Sequence, residues 1–184
     1  MDIKELYQEI ILDHGKNPRN KNICRNFNKD AKGHNPLCGD KVHIFLKLSN
    51  EKKLENISFE GEGCAISMAS ASIMTEIIKG KQFNIAKKIQ EDFLNMIKEG
   101  SKLNMNSLSD TENMTMMSLS GVKRFPMRVK CATLAWHTLS SAIEGKKEEQ
   151  QKKERTNGEG KKKHERKNNE ERTKKEEGRK ATKM

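Results

Sequence analysis

Past Gly145 the chain stops offering anything to bury. Between Lys146 and Met184 the only apolar residues are Ala181 and Met184, against 16 Lys or Arg and 9 Asp or Glu. Such a segment cannot offset its ordering entropy with buried apolar surface. A folded body is therefore expected over residues 1–145, and a charged, disordered or loosely helical tail over 146–184. A body of that length can bury roughly two-thirds of its unfolded surface, enough for one core. The tail also accounts for +7 of the net charge of +11, so the body is only mildly basic. Glutamates interspersed with the tail's basic residues dilute its field, and no nucleic-acid or membrane partner is expected of it. One Trp and one Tyr are too few aromatics for a surface that stacks single-stranded bases.

No apolar run approaches the 18 residues of a transmembrane helix. Met1-Asp2-Ile3-Lys4-Glu5 lacks the apolar stretch of a signal peptide, so a cytoplasmic protein with reduced thiols is expected. Cys24, Cys38, Cys64 and Cys131 are then metal ligands, reactive thiols or core residues rather than disulfides.

Apolar periodicity places the elements. Ile3, Leu6, Tyr7, Ile10 and Ile11 mark an amphipathic helix to about His14, ended by Gly15 and Asn17-Pro18. A polar stretch with weak strand character near Ala31 follows. Val42, Ile44, Leu46 and Leu48 alternate with His43, Phe45 and Lys47, and Leu54, Ile57 and Phe59 continue as the second arm of a hairpin. Helical spacing returns over Cys64–Lys79 and Asn84–Lys98, and again from Pro126 to Ile143; Ser101–Ser120 is ambiguous. Strands first and helices after predict an α+β fold, with helices packed on one face of a small antiparallel sheet of about three strands.

Three cysteines occupy special positions: Cys38 in a turn before the first clear strand, Cys64 after Gly61-Glu62-Gly63 at a helix start, and Cys131 in the first turns of the last helix. Helix N-termini favour thiolate over thiol. There is no C-x-x-C knuckle, so on the residues alone two readings stay open: small buried hydrophobes, or ligands. Asp40 lies two residues after Cys38. If it stands off the strand proper, three thiolates and one carboxylate make a closed four-ligand set suited to zinc. Lys41, Arg128 and Lys130 flank it and are candidates to balance its negative charge. A closed set has no open position for hydrolysis and works only by releasing a thiolate as nucleophile.

Four stretches carry a wider pattern: Asp13-His14-x-x-Asn17-Pro18-Arg19-Asn20; Asn35-Pro36-x-Cys38-Gly39-Asp40; Phe59-x-Gly61-x-Gly63-Cys64-x-Ile66-Ser67-x-Ala69-Ser70-Ala71-Ser72; and Arg128-x-Lys130-Cys131-Ala132-x-Leu134-x-Trp136. Together they resemble the NifU/IscU-like family of iron–sulfur assembly proteins over about Leu6–Ile143, most closely its SufU branch. Lys130 stands where the IscU branch has a histidine, and about twenty extra residues separate the second and third cysteines. The resemblance implies zinc on Cys38, Asp40, Cys64 and Cys131. It implies that Cys38 accepts persulfide sulfur from a SufS-type cysteine desulfurase and stimulates it in a sulfurtransferase-like way, with Arg128 serving that docking. Downstream iron–sulfur assembly proteins would be further partners. The alternative it carries is a scaffold that builds a transient iron–sulfur cluster on the same ligands.

The remaining candidates read as structure. Cys24 is an incidental loop thiol, His14 a helix-end residue, and Met114, Met116 and Met117 core filling. His34 and His43 lie near Cys38 in sequence as weak competitors for the metal, and His137 is discounted by its spacing from Cys131.

Overall fold

A computed structural model describes residues 2–101, 107–146 and 148–150; most of the expected tail lies outside the described residues. Three antiparallel strands form the sheet: β1 (Lys29–Asn35), β2 (Asp40–Leu48) and β3 (Leu54–Glu62). A short strand at Glu148–Gln150, β4, adds parallel to β1, giving the order β3-β2-β1-β4. The helices are α1 (Ile3–Lys16), α2 (Ala65–Ile78), α3 (Phe83–Glu99), α4 (Asp110–Met117) and α5 (Pro126–Glu144), with a 3-10 turn at Ser118–Arg124 before α5. The α+β architecture expected from the order of elements is the one observed.

The core lies between one sheet face and the helices. Val42, Ile44, Leu46, Leu54, Ile57 and Phe59 present the sheet's apolar side, and Ile73, Met74, Ile78, Phe93, Leu134 and Trp136 answer from the helices. Helix α2 is buried nearly all round because β3, α5 and α1 pack against it. Helix α1 lies so close to α2 that a Cβ on Gly15 would stand 3.3 Å from the Ala65 carbonyl oxygen. Trp136 stacks on Phe93 with centroids 4.2 Å apart and donates its indole N–H to Ser70 Oγ. Ser70 in turn donates to the Ala132 carbonyl at 2.6 Å. Gln90 donates to the Trp136 carbonyl and to Ser140 Oγ. These buried bonds fix α5 against α2 and α3.

Two segments are more regular than their composition suggests. Strand β1 runs seven residues although Ala31 is its only apolar side chain. Its core-facing positions need small residues because α5 crosses them: a Cβ on Gly33 would collide with Thr138 Oγ1. The ambiguous Met- and Ser-rich region holds α4, started by a Ser109/Glu112 capping box. Met116 and Met117 pack in or against the core as expected, whereas Met114 is 41% exposed.

Candidate functional site

The β1–β2 turn, the end of β3 and the N-terminal parts of α2 and α5 converge at one end of the sheet. Asn35 and Asp40 oppose each other as the last pair of the β1–β2 ladder. Between them the chain turns tightly: the N–H groups of Cys38 and Gly39 donate to the Asn35 carbonyl at 3.3 and 2.9 Å, and Leu37 N–H donates to Asn35 Oδ1 at 3.3 Å. Gly39 has φ +73°, a conformation that favours glycine. Cys38 rides on this turn, half-buried.

Asp40 departs from the expected placement. It is not off the strand but the first residue of β2. It still faces the site because it shares the inward side with Val42 and Ile44, and it is wholly buried. Its Oδ1 accepts the Cys64 N–H at 2.8 Å and its Oδ2 accepts Asn35 Nδ2 at 3.1 Å. Cys64 is the N-cap of α2, and Cys131 is fully buried in the second turn of α5. Cys131 Sγ lies 3.2 Å from Cys38 Sγ. Ligand atoms of Cys38, Asp40 and Cys131 all fall within 4.8 Å of one another. Cys64 borders this trio through its N–H to Asp40, and its thiol is electrostatically coupled to that of Cys131.

That coupling divides the pair electrostatically. Cys64 is pushed down to about 6, first by the Cys131 thiol and then, against the cost of burial, by the Ser67 and Ile66 N–H groups at the start of α2. Cys131 is pushed up by Cys64, by burial, and by its neighbours Asp40 and Cys38. Cys64 therefore ionises first while Cys131 retains the proton. Arg128, exposed beside them, is held more firmly protonated by Cys64 and Cys131.

Of the three cations expected to balance the cluster, Arg128 faces it. Lys41 pairs instead with Glu62 at 2.9 Å, because odd-numbered positions of β2 point to the other side of the sheet. His43 lies on that same far side and bonds Asp30 at 2.9 Å, and His34, opposite Lys41 in the ladder, shares it. Neither belongs to the trio. Cys24 is a loop thiol outside the cluster, but a buried one, 5% exposed, and its sulfur accepts the Asn56 amide at 3.2 Å. The Asp13–Asn20 stretch is a latch between α1 and α2: Ser72 Oγ contacts both His14 Nδ1 and Arg19 N at 2.8 Å, and Arg19 pairs with Asp13 at 2.5 Å. Asn35 and Gly63 carry no ionisable group, so a search for reactive side chains passes over them. Their signal is adjacency in sequence to Cys38-Gly39-Asp40 and to Cys64.

The donor set fits zinc. Around a tetrahedral zinc with sulfur at about 2.3 Å, donors stand roughly 3.3–3.8 Å apart, and the trio's ligand atoms lie within 4.8 Å of one another, so small shifts would close them on an ion. The upward push on Cys131 comes from packing thiols and a carboxylate together, the crowding that a divalent cation relieves.

Comparison with known proteins defines the class. The NifU-like N terminal domain model matches residues 6–153, and the chain belongs to that family. Among curated relatives, the zinc-dependent sulfurtransferase SufU of Bacillus subtilis is 41% identical over 142 residues, covering 77% of this chain and 92% of that protein. The iron–sulfur cluster assembly scaffold protein IscU of Streptococcus pyogenes is 34% identical, covering 77% and 85%. A crystal structure of a SUF-system assembly scaffold protein from Fervidobacterium islandicum superposes with a TM-score of 0.66 at 34% identity, covering 76% of this chain and 97% of that one.

Proposed function

We propose that this protein serves iron–sulfur cluster assembly by zinc-dependent sulfur transfer, with Cys38 as the acceptor. The observation that carries this reading is where Cys38 sits: half-buried on the turn between Asn35 and Asp40, whereas Cys131 and Asp40 are fully buried and hydrogen-bonded and Cys64, equally half-buried, is fixed as the N-cap of α2 by its N–H bond to Asp40. Cys38, Asp40, Cys64 and Cys131 would hold the metal, which when bound keeps thiols ionised near neutral pH. The Cys38 thiolate attacks the outer sulfur of a persulfide on a SufS-type cysteine desulfurase. The donor's S–S bond breaks, the Cys38 persulfide forms, and the donor cysteine leaves as thiolate. Arg128 offsets the negative charge that gathers at the mouth of the site.

The free thiols fit a reducing compartment, which supports a cytoplasmic location. Among the described residues no helix is long and apolar enough to cross a membrane. Residues 1–145, whose sheet is extended by β4 past the expected boundary, would do this work, with the remainder of 146–184 as a tail outside the chemistry. The test is desulfurase turnover with full-length protein: Cys38→Ala should abolish the stimulation, and a variant that stimulates normally overturns the assignment.

Similarity to IscU proteins described as scaffolds favours a second reading, in which an iron–sulfur cluster is built on the same ligands. Anaerobic reconstitution separates the two. A coloured, oxygen-sensitive product with iron exceeding zinc would support the scaffold.

A further inference from the structure

We propose that Asn35 is the positioning residue of this centre: its side-chain amide fastens Asp40 to Cys131 and leaves Cys38 as the sulfur free to move. The inference rests on the metal-site reading above and deepens it.

Asn35 is wholly buried, and its Nδ2 lies 3.1 Å from Asp40 Oδ2 and 3.5 Å from Cys131 Sγ. A primary amide nitrogen carries two protons, one for each partner. The other end of the amide is engaged too, since Oδ1 accepts Leu37 N–H. That bond sets the orientation, because the reversed amide would aim its oxygen at the Asp40 carboxylate. One side chain thus closes the turn with its oxygen and braces two ligand-type groups with its nitrogen.

The chemistry suits a metal centre. A neutral donor stabilises carboxylate and thiolate without adding a cation that would repel the metal. An ionised carboxylate has about four acceptor sites. Asp40 spends one oxygen on Asn35 and one on Cys64 N–H, leaving lone pairs for a ligand bond. Among the described residues Cys38 has no such brace: its sulfur accepts from Cys131 and its backbone forms a four-residue turn, whereas Cys64 is held as the N-cap of α2 and by its N–H bond to Asp40.

The experiment uses ¹⁵N-labelled full-length protein. Asn35→Asp keeps the shape and the acceptor for Leu37 but replaces the donor. Asn35→Ser keeps a turn acceptor but is too short to bridge. Ser70→Ala loosens the α2–α5 contact without touching the amide and controls for lost stability. In metal-free wild type, the side-chain NH₂ pair absent from Asn35→Asp should resist solvent exchange. In chelator competition, both Asn35 variants should bind zinc about 10–100-fold more weakly, and Ser70→Ala should stay within about twofold of wild type.

An Asn35 amide that exchanges like an exposed one overturns the proposal. So does wild-type zinc affinity in Asn35→Asp, or an equal loss in Ser70→Ala. If wild type takes up no zinc, the metal reading fails, and the exchange measurement alone decides whether Asn35 braces Asp40.

Discussion

Gly63 stands against Asp40 so closely that a Cβ built on it would lie 2.5 Å from Oδ1. The end of β3 therefore passes over the carboxylate with no room for a side chain, and this approach brings the Cys64 N–H within 2.8 Å of Oδ1. Gly63→Ala must push Asp40 aside or break that bond. It is expected to cost about 1–3 kcal/mol of stability. Zinc retained after dialysis should fall with it, measured by metal analysis beside thermal unfolding.

Gly33 makes a comparable close approach where α5 crosses β1. Gly33→Ala should destabilise by about 1–3 kcal/mol through its collision with Thr138. Adding Thr138→Ala opens the space, so the double variant should recover part of the loss. Urea unfolding of the three variants forms the cycle, and strictly additive losses would contradict the contact.

The latch between α1 and α2 gives a pH dependence. Burial lowers the His14 pKa, aided by Arg19 and opposed by Glu76 and Asp13. Above about pH 6.5 the ring is neutral in both folded and unfolded chains. Below that, the unfolded chain takes up a proton that the folded ring resists, so stability falls as pH drops, by at most about 1.4 kcal/mol per unit, and levels off below the folded value. Urea midpoints at pH 7.5 and 5.0 should differ less in His14→Gln than in wild type.

Metal removal should also register as stability. A zinc ion present at about 100 times its dissociation constant adds about 2.7 kcal/mol to the folded state. For a chain of this size that corresponds to a thermal midpoint roughly 5–10 °C higher, lost on chelation. Cys24→Ala, outside the cluster, should leave the metal-dependent shift unchanged. Calorimetry with and without chelator makes the comparison.

Much of the frame was legible because apolar spacing carries it. The alternation from Val42 to Leu48 and the periods of α1, α2, α3 and α5 lie where the structure has them. Strand β1 was faint because its inward positions are small for the sake of α5, and smallness leaves no hydrophobic signature. The cysteines and Asp40 were visible as candidates, but Lys41 was misread as a neighbour of the cluster because adjacency in a strand means opposite faces. Asn35 was the least legible. Its part depends on a ladder pairing with Asp40 and a contact 96 residues away in sequence, and neither leaves a local pattern.

The four residues between Asn35 and Asp40 also set the reach of Cys38, the acceptor proposed above. With both ends pinned, so short a loop moves its tip by only a few ångströms. Cargo cannot be fetched by a swinging arm on this side of the exchange. Under the proposed sulfur transfer, the donor would have to bring its sulfur to Cys38, and whatever unloads Cys38 would have to come just as close.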